Sequence, residues 1–168
     1  MNTQNKKEKI AVYPGSFDPI TLGHVDVLRD GAEMFDKVII AIAHNPEKKG
    51  FLSVDERIQL IKDSITDLDN VEVDAFVGLT IDYAKEKGAD FLLRGLRAVS
   101  DFEYELQLSQ NNRTLCDDIK TVFLMTRPEY SFISSSVVKD ILLNGGDISQ
   151  FVPEPVSKYL KTKYSPKQ

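Results

Sequence analysis

Short apolar runs alternate with amphipathic stretches along most of this chain. Residues 10–13, 38–43, 71–77, 91–93 and 121–125 predict strands. The run Val38, Ile39, Ile40, Ala41, Ile42, Ala43 has no polar alternation, as a strand covered on both faces requires. Between the strands, helical periodicity predicts helices over 22–35, 53–66, 79–88 and 98–114. Ser53 with Glu56 three positions on forms a capping box ahead of Ile58, Leu60, Ile61 and Ile65. Two more helices follow the last strand, at 135–143 and 153–163. The first stops at Asn144, Gly145 and Gly146, and the second opens on Pro153, Glu154 and Pro155. A β-α-β-α rhythm implies an α/β, Rossmann-like fold: a five-stranded parallel sheet with helices on both faces and added C-terminal helices.

The chain carries no internal repeat, linker or composition break, so residues 1–168 form a single domain, with 1–8 and 164–168 expected to be mobile. The 98–114 helix is unusual. Val99, Phe102 and Leu106 make one apolar stripe, while Tyr104 and Leu108 lie nearly opposite. Two apolar faces suggest packing on the sheet at one side and on another element or subunit at the other.

Composition narrows the function classes. A hydrophobic share of 42% and a charged share of 28% are those of a folded globular protein. The net charge of -5 argues against an extended nucleic-acid footprint, though converging basic groups can still dominate one cleft. Cys116 is the only cysteine, which excludes an intrachain disulfide and, with two histidines, a cysteine–histidine zinc site. No run approaches the roughly 18 apolar residues of a membrane span, and the polar start lacks a signal-like apolar core. A cytoplasmic protein without membrane or nucleic-acid partners is expected.

In a parallel sheet, ligands bind beyond the carboxyl ends of the strands. The first strand is followed by Pro14, Gly15, Ser16, Phe17, Asp18 and Pro19, and Thr21, Leu22, Gly23 and His24 then open a helix. Glycine permits close backbone approach, and a helix N-terminus offers free N–H groups. His44, Lys48 and Lys49 follow the second strand; Arg94, Gly95, Leu96 and Arg97 follow the fourth. Arg127 and the segment Tyr130, Ser131, Phe132, Ile133, Ser134, Ser135, Ser136 follow the fifth. Singly, each has a plain structural reading: an exposed histidine, a solvated lysine pair, a helix cap, a surface ion pair. Their recurrence at one sheet edge is what those readings do not explain, and it is a phosphate-binding layout. His44 keeps its plain reading. The chain has neither G-x-x-x-x-G-K-[ST] nor G-x-G-x-x-G, which argues against a P-loop NTPase and a dinucleotide oxidoreductase.

Residues 13–19 with Thr21, Leu22, Gly23 and His24 resemble the TxGH motif of the nucleotidyltransferase superfamily, and residues 133–136 resemble its ISSS segment. Residues 94–105 (RGLRAVSDFEYE) narrow the resemblance to the bacterial phosphopantetheine adenylyltransferases, over residues 9–163. Ser16 stands where many members have threonine, and Thr80 lies at a variable position.

The resemblance implies transfer of the adenylyl group of ATP to 4'-phosphopantetheine, giving dephospho-coenzyme A and pyrophosphate by direct in-line attack. It makes His24 the transition-state stabiliser. It places ATP on Ser16, Phe17, His24, Gly95, Leu96, Arg97, Glu105, Tyr130, Ser131, Phe132, Ile133, Ser134, Ser135 and Ser136. Ser16, Lys48, Thr80 and Arg94 would hold the acceptor. Magnesium held by phosphates and water, with no protein metal ligand, and a homohexamer are further implications. Alternatives are a sister enzyme, such as a cytidylyltransferase or a nicotinamide mononucleotide adenylyltransferase, and a regulatory nucleotide-binding module without catalysis.

Overall fold

The computed structural model of the chain describes residues 7–164, so the mobility expected at 1–6 and 165–168 lies outside the described residues. Five strands form one parallel sheet: β1 (Ile10–Gly15), β2 (Lys37–Ala43), β3 (Val71–Phe76), β4 (Phe91–Leu96) and β5 (Lys120–Met125). The helices are α1 (Leu22–Met34), α2 (Val54–Ser64), α3 (Thr80–Glu86), α4 (Val99–Leu115), α5 (Ser135–Leu143) and α6 (Glu154–Tyr164). The spatial order is β3-β2-β1-β4-β5. The chain thus starts at the centre, winds out to β3, returns beside β1 and winds out the other way. The strand order reverses between β1 and β4, where an open α/β sheet offers its crevice.

Alternate residues of the central strands feed two cores. Ala11, Val38, Ile40, Ile42 and Leu93 pack with side chains of α1, α2, α5 and α6 on one face. Val12, Ile39, Ala41 and Leu92 pack with Ile81, Tyr83 and Ala84 of α3 on the other. The unbroken apolar run of β2 is explained by this double coverage.

Local signals in the sequence act as expected. The Ser53–Glu56 capping box is present on α2. The same Glu56 carboxylate also accepts from the Tyr159 hydroxyl and pairs with Lys163, so it ties α2 to α6. Gly145, at φ +78°, ends α5, and Gly146 N–H reaches back to Ile141 O at 2.9 Å. Tyr164 closes α6 with its ring stacked on Phe51 at 4.5 Å.

Helix α4 departs from expectation. Neither apolar stripe is buried; the one buried side chain is Glu105, and Val99 is 84% exposed. Phe102 reaches the Phe123 ring of β5 at 6.2 Å, and Leu108 is only half-buried. Periodicity scores apolar side chains, whereas here the face toward the sheet is chosen by a charged pair: Glu105 meets Arg94 of β4.

Candidate active site

The site begins with a split in the sheet. β1 and β4 pair only at Ala11–Phe91 and Val12–Leu92. Beyond that point β1 stays with β2 to Gly15, and β4 stays with β5 to Leu96. The two half-sheets separate, and the gap at their carboxyl ends opens a cleft of about 410 Å³. Arg94 spans the gap: its Nη1 donates to Pro14 O at 2.9 Å, where a ladder bond would otherwise lie. Its Nε and Nη2 grip Glu105 at 2.6 and 2.5 Å. A fork-to-fork pair of this kind fixes both side chains in direction.

A second hollow of about 210 Å³ lies on the α3 side and is lined by Leu79, Thr80, Leu108 and Asn112. Pro14, Arg94 and Glu105 border both spaces. The Arg94–Glu105 pair is therefore the partition between two adjoining hollows.

The first wall of the cleft is the turn from β1 to α1. Phe17 adopts φ +45°, in the left-handed region that a bulky residue seldom enters. The reward is burial of its ring, edge-on to Tyr13 at 5.3 Å and to His24 at 5.1 Å. Gly15 is required by this arrangement, since a Cβ there would lie 2.9 Å from the Phe17 ring. The Asp18–Pro19 peptide is cis. Arg57 of α2 is buried and donates to Ser16 O at 2.9 Å, holding the turn from beneath.

Thr21 caps α1, accepting from His24 N–H, and Leu22 N–H is taken by Phe151 O at 2.9 Å. His24 is half-buried at the cleft wall, with Nδ1 3.0 Å from both the backbone nitrogen and the hydroxyl of Thr21. Burial, then the positive charges of Arg97 and Arg94, push its pKa down from 6.5 to about 4, so it is neutral at physiological pH. At Gly23 a Cβ would meet nothing closer than Tyr130 O at 3.5 Å, an ordinary contact.

The opposite wall is Arg97 and the start of α5. Arg97 donates to Asp101 from Nε and Nη2 and to Ile133 O from Nη1 at 3.2 Å, joining the α4 entrance to the serine segment. Ser134 caps α5 by accepting from Val137 N–H, and Ser135 Oγ donates to Pro19 O at 2.8 Å. The N-termini of α1 and α5 therefore face one space, each with the positive end of its dipole.

Of the residues singled out in the sequence, the cleft brings together Ser16, Phe17, His24, Arg94, Gly95, Arg97, Glu105, Ile133, Ser134, Ser135 and Ser136. Thr80 lines the adjoining hollow. Leu96 is buried behind the cleft. Tyr130, Ser131 and Phe132 flank it; the Phe132 ring turns outward against Phe151. Lys48 is exposed on the turn after β2 and is not among the residues lining the cleft. That turn is anchored from the site, because Asp18 accepts from Phe51 and Leu52 N–H, each at 2.8 Å. Asp18→Ala is expected to release residues 51 and 52 from the turn after β1 and to lower the Tm; thermal melts of the two proteins check this.

Tyr13, Asp101, Tyr104 and Thr126 also line the cleft and were not nominated from sequence. The four-residue spacing of Arg97 and Asp101 was a usable signal. Nothing local marks Thr126, which reaches the cleft only because β5 ends beside α1. Among the described residues, no three His, Cys, Asp or Glu side chains are grouped to hold a metal, and no helix is long and apolar enough to cross a membrane.

Residues 12–141 match the family model described as cytidylyltransferase-like. A phosphopantetheine adenylyltransferase of Desulfosudis oleivorans is 54% identical over 155 residues, covering 92% of each chain. One from Thermosynechococcus vestitus is 54% identical over 156 residues, covering 93% of each. The chain belongs to the phosphopantetheine adenylyltransferase family. A third member, from Alkaliphilus metalliredigens, is 51% identical and covered over 99% of its length. The fold extends further than the family. A crystal structure from Vibrio parahaemolyticus, named "Putative Nicotinate-nucleotide Adenylyltransferase", superposes with TM-score 0.68 at 20% identity over 93% of each chain.

Proposed function

We propose that this enzyme transfers the adenylyl group of ATP to 4'-phosphopantetheine, yielding dephospho-coenzyme A and pyrophosphate. The observation that carries the reading, beside family membership, is the pair of hollows meeting at Arg94. One is ringed by His24, Arg97 and two helix N-termini and suits a nucleotide triphosphate. The other, with Thr80 and Leu108, is narrower and less charged and suits the pantetheine arm. Arg94 at the partition is where the acceptor phosphate would meet the α-phosphorus.

The acceptor phosphate is itself the nucleophile and is substantially dianionic near neutral pH, its second pKa being about 6. No general base is needed. The acceptor oxygen bonds to the α-phosphorus in line as the bond to the pyrophosphate oxygen breaks. Catalysis is then positioning and electrostatics: His24 on the α-phosphate, Ser16, Lys48 and Arg94 on the acceptor, Arg97 and residues 130–136 on ATP. Gly95 lets β4 pack closely on α1 beneath the nucleotide, since a Cβ there would strike Val27 at 2.9 Å. Magnesium would be held by phosphate oxygens and water, because the two cleft carboxylates, Asp101 and Glu105, are each gripped by a guanidinium.

The exposed apolar side chains of α4, Val99, Phe102 and Leu106 on one face and Tyr104 nearly opposite, support contact with further copies of the chain, and the family resemblance makes that assembly a homohexamer in the cytoplasm. Light scattering is expected to give six chains, and a monomer at working concentration refutes that assembly. The activity is tested by pyrophosphate release with ATP or CTP against each acceptor. Release with ATP and 4'-phosphopantetheine alone is expected; release only with CTP or with nicotinamide mononucleotide overturns the reading.

A further inference from the structure

The capping box at the start of α1 has an uncommon member. Such boxes place Glu or Gln at the third helical position, and this one places His24. The two nitrogens of an imidazole are distinct, and what one faces decides which carries the proton. Nδ1 faces two groups of a single residue: the Thr21 backbone N–H and the Thr21 hydroxyl, each at 3.0 Å. An N–H can only donate, so Nδ1 accepts and bears no proton. The hydroxyl oxygen accepts His24 N–H at 3.3 Å, which leaves its own hydrogen for Nδ1. Thr21 is 1% exposed and water does not compete for these bonds. The ring proton is left on Nε2, which has no protein partner among the described residues.

We infer that Thr21 is a positioning residue: beyond capping α1, it fixes His24 as the neutral Nε2–H tautomer, a donor aimed at the transferred α-phosphate. The proton's place follows from the geometry alone; its effect on turnover rests on the adenylyl-transfer reading. Neither residue gains or loses a proton in the step. The acceptor oxygen forms its bond to the α-phosphorus, the leaving oxygen departs with pyrophosphate, and Nε2–H only strengthens its hydrogen bond as charge gathers on the α-phosphate oxygens.

A helix cap and a tautomer lock are separable, because Asp caps a helix about as well as Ser but carries no hydrogen to give. The full-length protein is compared with Thr21→Ser and Thr21→Asp by imidazole proton–nitrogen NMR and by steady-state kinetics. Wild type and T21S are expected to show the Nε2–H signature, with T21S restoring turnover to within about threefold. T21D sets a carboxylate against Nδ1 and is expected to draw a proton onto it. Its kcat should fall at least about tenfold, with a smaller change in the KM for ATP and a near-normal melting temperature. A wild-type spectrum showing Nδ1–H overturns the proposal, as does folded T21D turning over like T21S. Should T21D fail to fold, the wild-type and T21S spectra decide the tautomer by themselves. An Nε2–H signature without pyrophosphate release overturns the adenylyl-transfer reading and leaves the tautomer standing.

Discussion

His24→Ala is expected to lower kcat by about 10²–10³-fold while the KM for ATP moves little, the signature of a contact made chiefly in the transition state. The fold should survive, since Thr21 still caps α1 through its backbone and hydroxyl. Near-normal turnover would remove His24 from the chemistry. The same histidine shapes the pH response. Its pKa of about 4 keeps the ring neutral through the working range, so its protonation adds no limb between pH 5 and 8. An acid limb near pH 6 in kcat/KM for the acceptor is expected from the acceptor phosphate. Stability carries the histidine's own mark. The unfolded chain takes up a proton near pH 6.5 that the folded chain refuses until about 4. This group therefore lowers stability as pH falls across that window and leaves it unchanged above it. Denaturant titrations of wild type and His24→Ala at pH 7.5 and 5 measure the difference.

Arg94→Ala is expected to do two kinds of damage at once. It removes the cation at the partition between the hollows, raising the acceptor KM. It also strands Glu105, 9% exposed, without its guanidinium. Breaking such a pair from one side destabilises by about 3–5 kcal/mol, whereas replacing both members with apolar groups is often neutral. The double substitution Arg94→Met with Glu105→Leu should accordingly regain most of the lost stability and none of the turnover. Urea melts of the single and double variants, run beside kinetics, test the separation. A single variant as stable as wild type would show that Glu105 has other means of compensation.

The sheet was legible in the sequence because a parallel sheet covered on both faces writes itself as uninterrupted apolar runs, β2 above all. Caps and stops such as Ser53, Glu56 and Gly145 act within a few residues and were equally readable. What was not legible depends on distance along the chain. Arg94 and Glu105 are eleven positions apart and meet only because α4 folds back over β4. The anchoring of residues 51 and 52 by Asp18 spans more than thirty positions. The split between β1 and β4 leaves no local trace, since both strands are paired along their outer sides. On α4 the apolar periodicity misled because the inward face belongs to a carboxylate.

Position 23 carries a lesson about selection. Alanine would fit there without displacing any neighbour, and as the better helix former it should leave the fold at least as stable. A library sorted for folding or solubility would admit Gly23→Ala freely, and a sort for turnover would reject it. Loss of turnover in Gly23→Ala without loss of stability would place the reason for a glycine at this helix entrance in the molecule that enters the cleft rather than in the fold.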